Sequence, residues 1–361
     1  MITVKAPGKL YIAGEYAVVE HGFPAIIVAL NQFVTATISP SDTFGSIVSE
    51  QYQENSIFWR RQGDAMVFDN RDNPFHYILA AISLTENYAH EAGRNLGVYH
   101  LGINSDLDSA DGKKYGLGSS AAVTVATVKA LCQFYELPMD KPKLFKLAAI
   151  AHLSVQGNGS LGDIAASVYG GWIAYHSFDR DWLNRQREKS TLTELLGMDW
   201  PDLKIDLLTP PRDLRLMIGW TGSPASTSHL VDKVALVKAK QRGEYQTFLQ
   251  DSKACLKRMI AGFQAGDLAT IQTELRQNRA LLQTLGEFSH VTIETPILEK
   301  MIAIAEAAGA AAKTSGAGGG DCGIVLIDRS INPQQLLKDW ASEGIERLNL
   351  NVHTVADNPV A

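Results

Sequence analysis

Cysteine is scarce in this 361-residue sequence, which contains only Cys132, Cys255 and Cys322. These three positions form neither a disulfide framework nor a CxxC metal pair. Basic residues are not in excess, because 33 Lys and Arg against 39 Asp and Glu give a net charge of −6, which argues against general nucleic-acid binding. No apolar run reaches the roughly 18–20 residues of a membrane span, and no secretory signal pattern opens the sequence. These absences predict a reduced, soluble, cytoplasmic protein that binds neither nucleic acid nor membrane.

Length and element pattern indicate two domains of mixed structure. At about 150 residues per domain, 361 residues are enough for two. A charged segment at 179–189 and a proline-containing segment at 201–211 mark the boundary, so we predict domains over 1–190 and 191–361. The elements do not alternate regularly, which favours an α+β fold. Predicted strands span 2–6, 25–30, 33–38, 56–60, 98–103, 172–178, 214–220, 324–327 and 345–352. Predicted helices span 74–92, 119–137, 141–156 and 333–343, with a short one after Gly162 and long ones between 227 and 308.

Glycine is concentrated in three loops. The first contains Pro7-Gly8-Lys9 and Gly14-Glu15, the second runs from Lys113 to Ala122, and the third runs from Lys313 to Gly323. Glycine in an ordered element costs about 0.5–1 kcal/mol relative to alanine, so such clusters indicate a backbone that must approach a neighbour closely. The third loop could also be an ordinary flexible loop, although an apolar strand follows it directly.

The second loop has the character of an anion-binding site. Gly116 and Gly118 permit a tight turn, and Ser119-Ser120 stands where a long apolar helix begins. Free N–H groups and the positive end of the helix dipole meet there, and Lys113 and Lys114 precede the turn. The alternative is that Ser119 or Ser120 only caps the helix and the glycines only make a turn.

Other nucleotide-binding signatures either lack the surrounding secondary structure that they require or are absent. The segments 116–121 and 157–162 match the glycine spacing of a dinucleotide-binding fold, but neither follows a buried strand. The chain also lacks GxxxxGK[ST] and the protein-kinase HRD and DFG triplets.

Together, the three loops resemble the three motifs of the GHMP kinases, the family of galactokinase, homoserine kinase, mevalonate kinase and phosphomevalonate kinase. The motif segments are Pro7 to Glu15, Gly116 to Ala122 and Ser315 to Asp321, in the family's order and spread over nearly the whole chain. The resemblance implies a two-domain GHMP kinase-like fold. A β-rich N-terminal domain would carry the helix after the second loop, and a helix-covered antiparallel sheet would carry the third.

Within the family, the sequence is most similar to the bacterial branch that acts on phosphomevalonate. The similar segments are 8–16, 112–120, 158–163 and 177–180, and Tyr16 stands where hydroxyl-phosphorylating members usually have histidine. The resemblance implies transfer of the ATP γ-phosphoryl group to (R)-5-phosphomevalonate, by a monomer or homodimer. The alternatives are another enzyme of the fold, such as mevalonate kinase or diphosphomevalonate decarboxylase, and a non-catalytic ligand sensor.

The resemblance also implies roles for individual residues. Catalysis would fall to Lys9, Lys114 and Asp163, although surface lysines and a helix-capping aspartate are the alternatives. The cofactor would be Mg²⁺, held by Ser120 with help from Glu15 or Asp163. The implied ATP-binding residues are Lys113, Gly116, Leu117, Gly118, Ser119, Ser120 and Ala121. The implied substrate-binding residues are Gly14, Glu15, Tyr16, Asn158, Ser160, Arg180, Ser315, Gly316, Ala317 and Gly318.

A phosphate acceptor changes what the site must supply. Its second pKa is near ~6, so it is mostly deprotonated at neutral pH and needs no general base. The main task is to bring two anions together, which requires cations. We therefore expect Lys9 and Lys114 to neutralise charge, and Asp163 mainly to hold Lys9 and the acceptor in register. Arg180 could clamp a phosphate or form an ion pair with Asp179 or Asp181.

Overall fold

The computed structural model describes residues 1–50, 56–68, 74–107, 115–222, 227–238 and 241–356. Its strands are β1 (Ile2–Ala13), β2 (Pro24–Ser41), β3 (Gly45–Ser49), β4 (Ile57–Gln62), β5 (Ala65–Phe68), β6 (Val98–Ser105), β7 (Trp172–His176), β8 (Lys204–Leu208), β9 (Leu214–Trp220), β10 (Ala311–Thr314), β11 (Cys322–Asp328) and β12 (Glu346–Leu348). Its helices are α1 (His76–Glu91), α2 (Ser119–Phe134), α3 (Lys141–Val155), α4 (Gly162–Tyr169), α5 (Arg180–Arg187), α6 (Leu192–Gly197), α7 (Thr227–Lys238), α8 (Arg242–Ala265), α9 (Leu268–Ser289), α10 (Pro296–Ala307) and α11 (Gln334–Ser342).

The larger sheet is built around β2, an 18-residue strand. The order is β5-β4-β3-β6-β2-β7-β8, and β1 pairs with β2 beside this path. The prediction of two strands over 25–30 and 33–38 is wrong, because Asn31 and Gln32 continue the extended backbone. β1 likewise runs past Ala6, with a register shift between Pro7 and Lys9. The Pro7-Gly8-Lys9 part of the first glycine loop is therefore an irregular stretch within a strand, whereas Gly14 and Glu15 follow the strand.

A layer of helices covers this sheet. α2 and α4 pack against β1 and β2, while α1 and α3 pack against α2. The small side chains of α2, such as Ala121, Ala122 and Ala126, are fully buried and let the helix approach the strands closely. The predicted helix over 119–137 is confirmed, although it ends at Phe134. This packing fixes where the second glycine loop enters α2.

The larger sheet extends beyond residue 190. β8 pairs antiparallel with β7, so residues 204–208 belong to the first sheet even though they lie after the predicted boundary. The sequence did not reveal β8 because it is a short strand inside a proline-containing segment. The chain passes to the second sheet between β8 and β9. The division at residue 190 stays a prediction, and strand pairing favours a later crossing.

The smaller sheet has the order β10-β11-β9-β12 and is antiparallel throughout. Strand β11 pairs with β9 along its whole length, so the third glycine loop, between β10 and β11, opens at one end of this sheet. The predicted strand over 345–352 is confirmed only for Glu346–Leu348. Val352 and Thr354 instead form bridges with Leu30 and Gly170 in the first half. Among the described residues, no helix combines the length and apolar character needed to cross a membrane.

Candidate active site

One cleft brings the three glycine loops together. It has a volume of about 500 Å³ and is lined by residues of both halves of the chain. The predicted site residues that line it are Lys9, Glu15, Tyr16, Gly116, Leu117, Gly118, Ser119, Ser120, Asn158, Ser160, Asp163, Ser315, Gly316 and Ala317. Segments that are up to about 300 positions apart in the sequence therefore form a single site.

Lys9 lies at the register shift of β1, where it contacts the second loop. Its backbone N–H donates to the carbonyl of Leu117 (2.8 Å), and its Nζ donates to the carbonyl of Gly116 (3.4 Å). Lys9 is the one lysine or arginine among the described residues that line the cleft, whereas three carboxylates, Glu15, Asp163 and Asp321, line it too. Among the described side chains that line the cleft, Lys9 is therefore the one that can neutralise the charge of a bound anion with a full positive charge.

The second loop leads directly into α2. Gly118 is the N-cap residue, in the left-handed conformation (φ 78°), and it makes no side-chain capping bond. The reading in which Ser119 or Ser120 caps the helix is therefore wrong, since both are already helical residues. The first N–H groups of a helix have no intrahelical partner, so the start of α2 offers donors and a positive dipole end to an anion. A Cβ at Gly118 would lie 2.7 Å from Cε of Lys9, so any other residue here would force the lysine side chain to move.

The third loop is fixed against the first motif and against its own half. The hydroxyl of Tyr16 donates to the carbonyl of Ala317 (2.6 Å), and Ser315 Oγ donates to the carbonyl of Tyr11 (2.7 Å). Gly318 has φ 76°, and a Cβ there would collide with the carbonyl of Ile293. Ser315, Gly316 and Ala317 thus face the cleft, whereas Gly318 does not line it.

A buried ion pair lies beside these contacts. Oε1 of Glu15 is 2.5 Å from Nζ of Lys313, and their side chains are 3% and 0% exposed. Nζ of Lys313 also donates to the carbonyl of Thr314 (2.6 Å). The second carboxylate oxygen, Oε2 of Glu15, is buried and finds no hydrogen-bond partner in the described part of the chain.

Asp163 lies in the first turn of α4, where it faces the cleft. Its Oδ1 accepts a hydrogen bond from the N–H of Ile164 (3.0 Å), so the local helix-stabilising role is present as well. Tyr11 and Ser160 share a hydroxyl–hydroxyl hydrogen bond of 2.6 Å. Burial, together with the charges of Asp163 and Glu15, raises the pKa of Tyr11 well above its usual range, so it remains a neutral hydroxyl.

Sequence reasoning missed a polar group on α1 and α3. The ring of His152 lies 4.8 Å from that of Tyr77, and its Nε2 is 3.4 Å from Oγ of Ser120. The Tyr77 hydroxyl donates to Oε1 of Gln156 (2.9 Å). Burial lowers the pKa of His152, so its imidazole is neutral at neutral pH. The available signal was the i, i+4 spacing of His152 and Gln156 at the C-terminal end of α3.

Other predicted site residues lie away from the cleft surface or are engaged elsewhere. Asn158 lines the cleft, but its Nδ2 donates to Oδ1 of Asp232 on α7 (2.7 Å). Arg180 does not line the cleft, and its guanidinium donates to the carbonyl of Gly157 (3.4 Å). Gly14 and Ala121 lie behind the lining residues. The predictions on Lys113 and Lys114 fall outside the described residues.

A smaller cavity of about 160 Å³ adjoins the start of α2. It shares Tyr77, Ser119 and Ser120 with the cleft, and the rest of its wall is mainly apolar. The apolar lining residues are Val34, Pro74, Phe75, Ile78, Ile103 and Val123. A flat apolar group attached to an anion could therefore lie here while the anion contacts the second loop.

Comparison with known proteins identifies the family. The sequence matches the models of the GHMP kinases N terminal domain over residues 76–171 and the GHMP kinases C terminal domain over residues 259–346. A phosphomevalonate kinase from Streptomyces sp. (strain CL190) is 35% identical over 357 residues, covering 96% of this chain and 95% of the relative.

Solved structures agree with the sequence matches. Streptococcus pneumoniae phosphomevalonate kinase in complex with phosphomevalonate and AMPPNP aligns with a TM-score of 0.86 at 34% identity, covering 98% of this chain and 100% of the other. A Lin0012 protein from Listeria innocua aligns with a TM-score of 0.92 at 38% identity, covering 97% of each chain. The predicted α+β, two-domain fold is thereby confirmed, and the chain belongs to the GHMP kinase family.

Proposed function

We propose that this chain phosphorylates (R)-5-phosphomevalonate with ATP, producing (R)-5-diphosphomevalonate and ADP in the mevalonate pathway of isoprenoid biosynthesis. The observation that carries the proposal is the position of Lys9, which reaches the second loop in a cleft that the third loop also lines. The relatives that act on phosphomevalonate resemble this chain over nearly its full length.

The reaction moves one phosphoryl group between two anions. An unprotonated oxygen of the acceptor phosphate forms a bond to Pγ of ATP. The bond between Pγ and the oxygen that bridges it to Pβ breaks, and ADP leaves with the electron pair. Such transfers depend on positioning and electrostatic stabilisation. The start of α2 would hold the ATP phosphates, Lys9 would lie beside the transferred group, and Ser315 to Ala317 would close the acceptor side.

The donor groups in the cleft fit Mg²⁺. This ion prefers oxygen ligands and keeps several waters while it binds substrate phosphates. The cleft offers the hydroxyl of Ser120 and the carboxylates of Glu15 and Asp163, and within residues 1–50, 56–68, 74–107, 115–222, 227–238 and 241–356 nothing hydrogen-bonds to Oε2 of Glu15. The described residues contain no cluster of three or more His, Cys, Asp or Glu suited to a metal, so Ser120 would bind an ion held largely by phosphates and water. When bound, Mg²⁺ neutralises phosphate charge.

The smaller cavity is expected to receive the nucleobase. Val123→Trp should fill it and raise the KM for ATP about tenfold or more, since overpacking costs about 1–3 kcal/mol. Steady-state kinetics should show an unchanged KM for phosphomevalonate. Val155→Trp is the matched control, because Val155 is exposed and lines neither cavity. An equal rise in both KM values would contradict the assignment.

The role of Asp163 can be separated from general-base catalysis by its pH profile. Asp163→Asn should lower kcat by less than the ~100-fold minimum expected for loss of a general base. The fall in rate at acid pH should remain near the acceptor's second pKa of ~6, because the acceptor itself loses the proton. Disappearance of that acid limb in the variant would show instead that Asp163 accepts a proton.

A coupled assay of ADP release tests the substrate. With ATP and Mg²⁺, we expect turnover with phosphomevalonate and only background rates with mevalonate, galactose or homoserine. Preference for mevalonate would assign the chain to a hydroxyl-phosphorylating branch, and release of CO₂ from diphosphomevalonate would assign it to the decarboxylases. Binding of ATP without turnover of any of these would favour a sensor.

A further inference from the structure

Lys313 is a buried charged residue that the proposed reaction does not yet use. Its Nζ donates a hydrogen bond to Oε1 of Glu15, which is 298 positions earlier in the sequence. Neither side chain is more than 3% exposed. Lys313 lies on β10 two residues before Ser315, and Glu15 follows β1 directly after Gly14. The ion pair therefore joins the first motif to the third.

Stability alone does not explain a pair in this position. Removing two charges from water costs about as much as their attraction returns, and apolar residues of similar volume often serve equally well. The neighbouring contacts from Tyr16 to Ala317 and from Ser315 to Tyr11 already attach the third loop to the first motif. A buried Glu–Lys pair beside the cleft thus points to a role in the chemistry that takes place there.

The two carboxylate oxygens of Glu15 differ in their surroundings. Oε1 accepts a hydrogen bond from Lys313, whereas Oε2 is buried and has no hydrogen-bond partner among the residues that the structure describes, although Glu15 lines the cleft. Leaving a buried acceptor unsatisfied is unfavourable. Because Glu15 lines the cleft, a small shift of the side chains that cover Oε2 would let this oxygen accept a hydrogen bond from a donor that arrives with the substrates.

We propose that Lys313 is a positioning residue that acts through Glu15. By holding Oε1 it fixes the carboxylate so that Oε2 accepts a hydrogen bond from the bound substrates, either from the hydroxyl group of the acceptor or from water on the hydrated cation. This inference rests on the proposed function. Lys313 also neutralises Glu15, so that one carboxylate fewer repels the two anionic substrates.

A double-mutant cycle of Lys313→Met, Glu15→Gln and the combined variant tests the proposal. Calorimetric binding of phosphomevalonate, measured without ATP or Mg²⁺, examines the acceptor hydroxyl. The Mg²⁺ dependence of AMPPNP binding examines the hydrated cation. Lys146→Met is the matched control, because Lys146 is also a buried lysine but donates to the carbonyls of Leu196 and Met198 outside the cleft.

We expect Lys313→Met to weaken one of these two bindings by about 10- to 100-fold, the range for a hydrogen bond to a charged group, while Lys146→Met changes neither. The combined variant should bind within twofold of Glu15→Gln, because Lys313 acts through that residue. The combined variant carries no unpaired buried charge, so if either single variant does not fold, the combined variant is compared with the wild-type chain, and unchanged binding by both measures would overturn the inference.

Where the single variants fold, two results would overturn the inference: unchanged binding by both measures in Lys313→Met, or a further loss in the combined variant beyond that of Glu15→Gln. Either result, obtained while the wild-type chain turns over phosphomevalonate, leaves the proposed function intact. Lack of turnover by the wild-type chain would refute the function itself.

Discussion

Replacing Lys9 with methionine is expected to lower kcat by roughly 100- to 1,000-fold, the loss typical of removing one preorganised group that stabilises developing charge. Lys9 is the one lysine or arginine among the described lining residues of a cleft that must hold two anions beside three carboxylates. Methionine keeps the apolar stem and removes the charge, so the strand should be unaffected. Steady-state kinetics at saturating ATP and phosphomevalonate measure the effect.

Lys5→Met provides the control for this substitution. Lys5 lies on the same strand, but it is exposed and does not line the cleft. Both variants should retain the wild-type circular dichroism spectrum and melting temperature, and only Lys9→Met should lose activity. A folded Lys9→Met protein with wild-type kcat would remove the basis of the proposed mechanism.

Replacing Gly118 with alanine is expected to lower kcat/KM for ATP by about tenfold or more. The left-handed conformation costs a non-glycine residue roughly 1–2 kcal/mol, and the added Cβ would lie 2.7 Å from Cε of Lys9. The side chain of Lys9 must therefore move, and the start of α2 loses its geometry at the same time. Steady-state kinetics with varied ATP measure the combined effect of the displaced Lys9 side chain and the altered start of α2.

Gly266→Ala separates the backbone cost from the effect on the site. Gly266 also has a positive φ (67°), at the end of α8, and a Cβ there would meet nothing within 4 Å. Both alanine variants should lose a similar amount of stability in thermal unfolding. Equal kinetic losses in the two variants would mean that Gly118 serves only to make the turn.

Local patterns in the sequence predicted most of the site because each glycine loop is contiguous. The second loop combined glycines, serines and a following apolar helix, and each of these features has a short-range cause. Lys9 and Asp163 were singled out through the resemblance to the GHMP kinases, whose motifs are compact. The structure brings these segments into one cleft, as the ordered motifs led us to expect.

Features that depend on distant contacts could not be predicted in this way. The Glu15–Lys313 pair forms across 298 positions, and a lysine before a glycine loop has no local sign of full burial. His152 and Tyr77 meet because α1 and α3 pack against each other as well as against α2. β8 was missed because its short, half-exposed sequence is defined by pairing with β7.

The bridges that residues 352 and 354 make with Leu30 and Gly170 bear on how the protein matures during synthesis. His353 donates a backbone hydrogen bond to Ala29 and accepts one from Gly171, so this segment completes the edge of a sheet whose central strand β2 is translated well before it. At about 5–20 residues per second, roughly 10–40 s separate Gly170 from Val352 at the ribosome. During that interval the newly made first half has an unprotected strand edge. Chaperones would therefore increase the yield of folded protein most at this stage of synthesis.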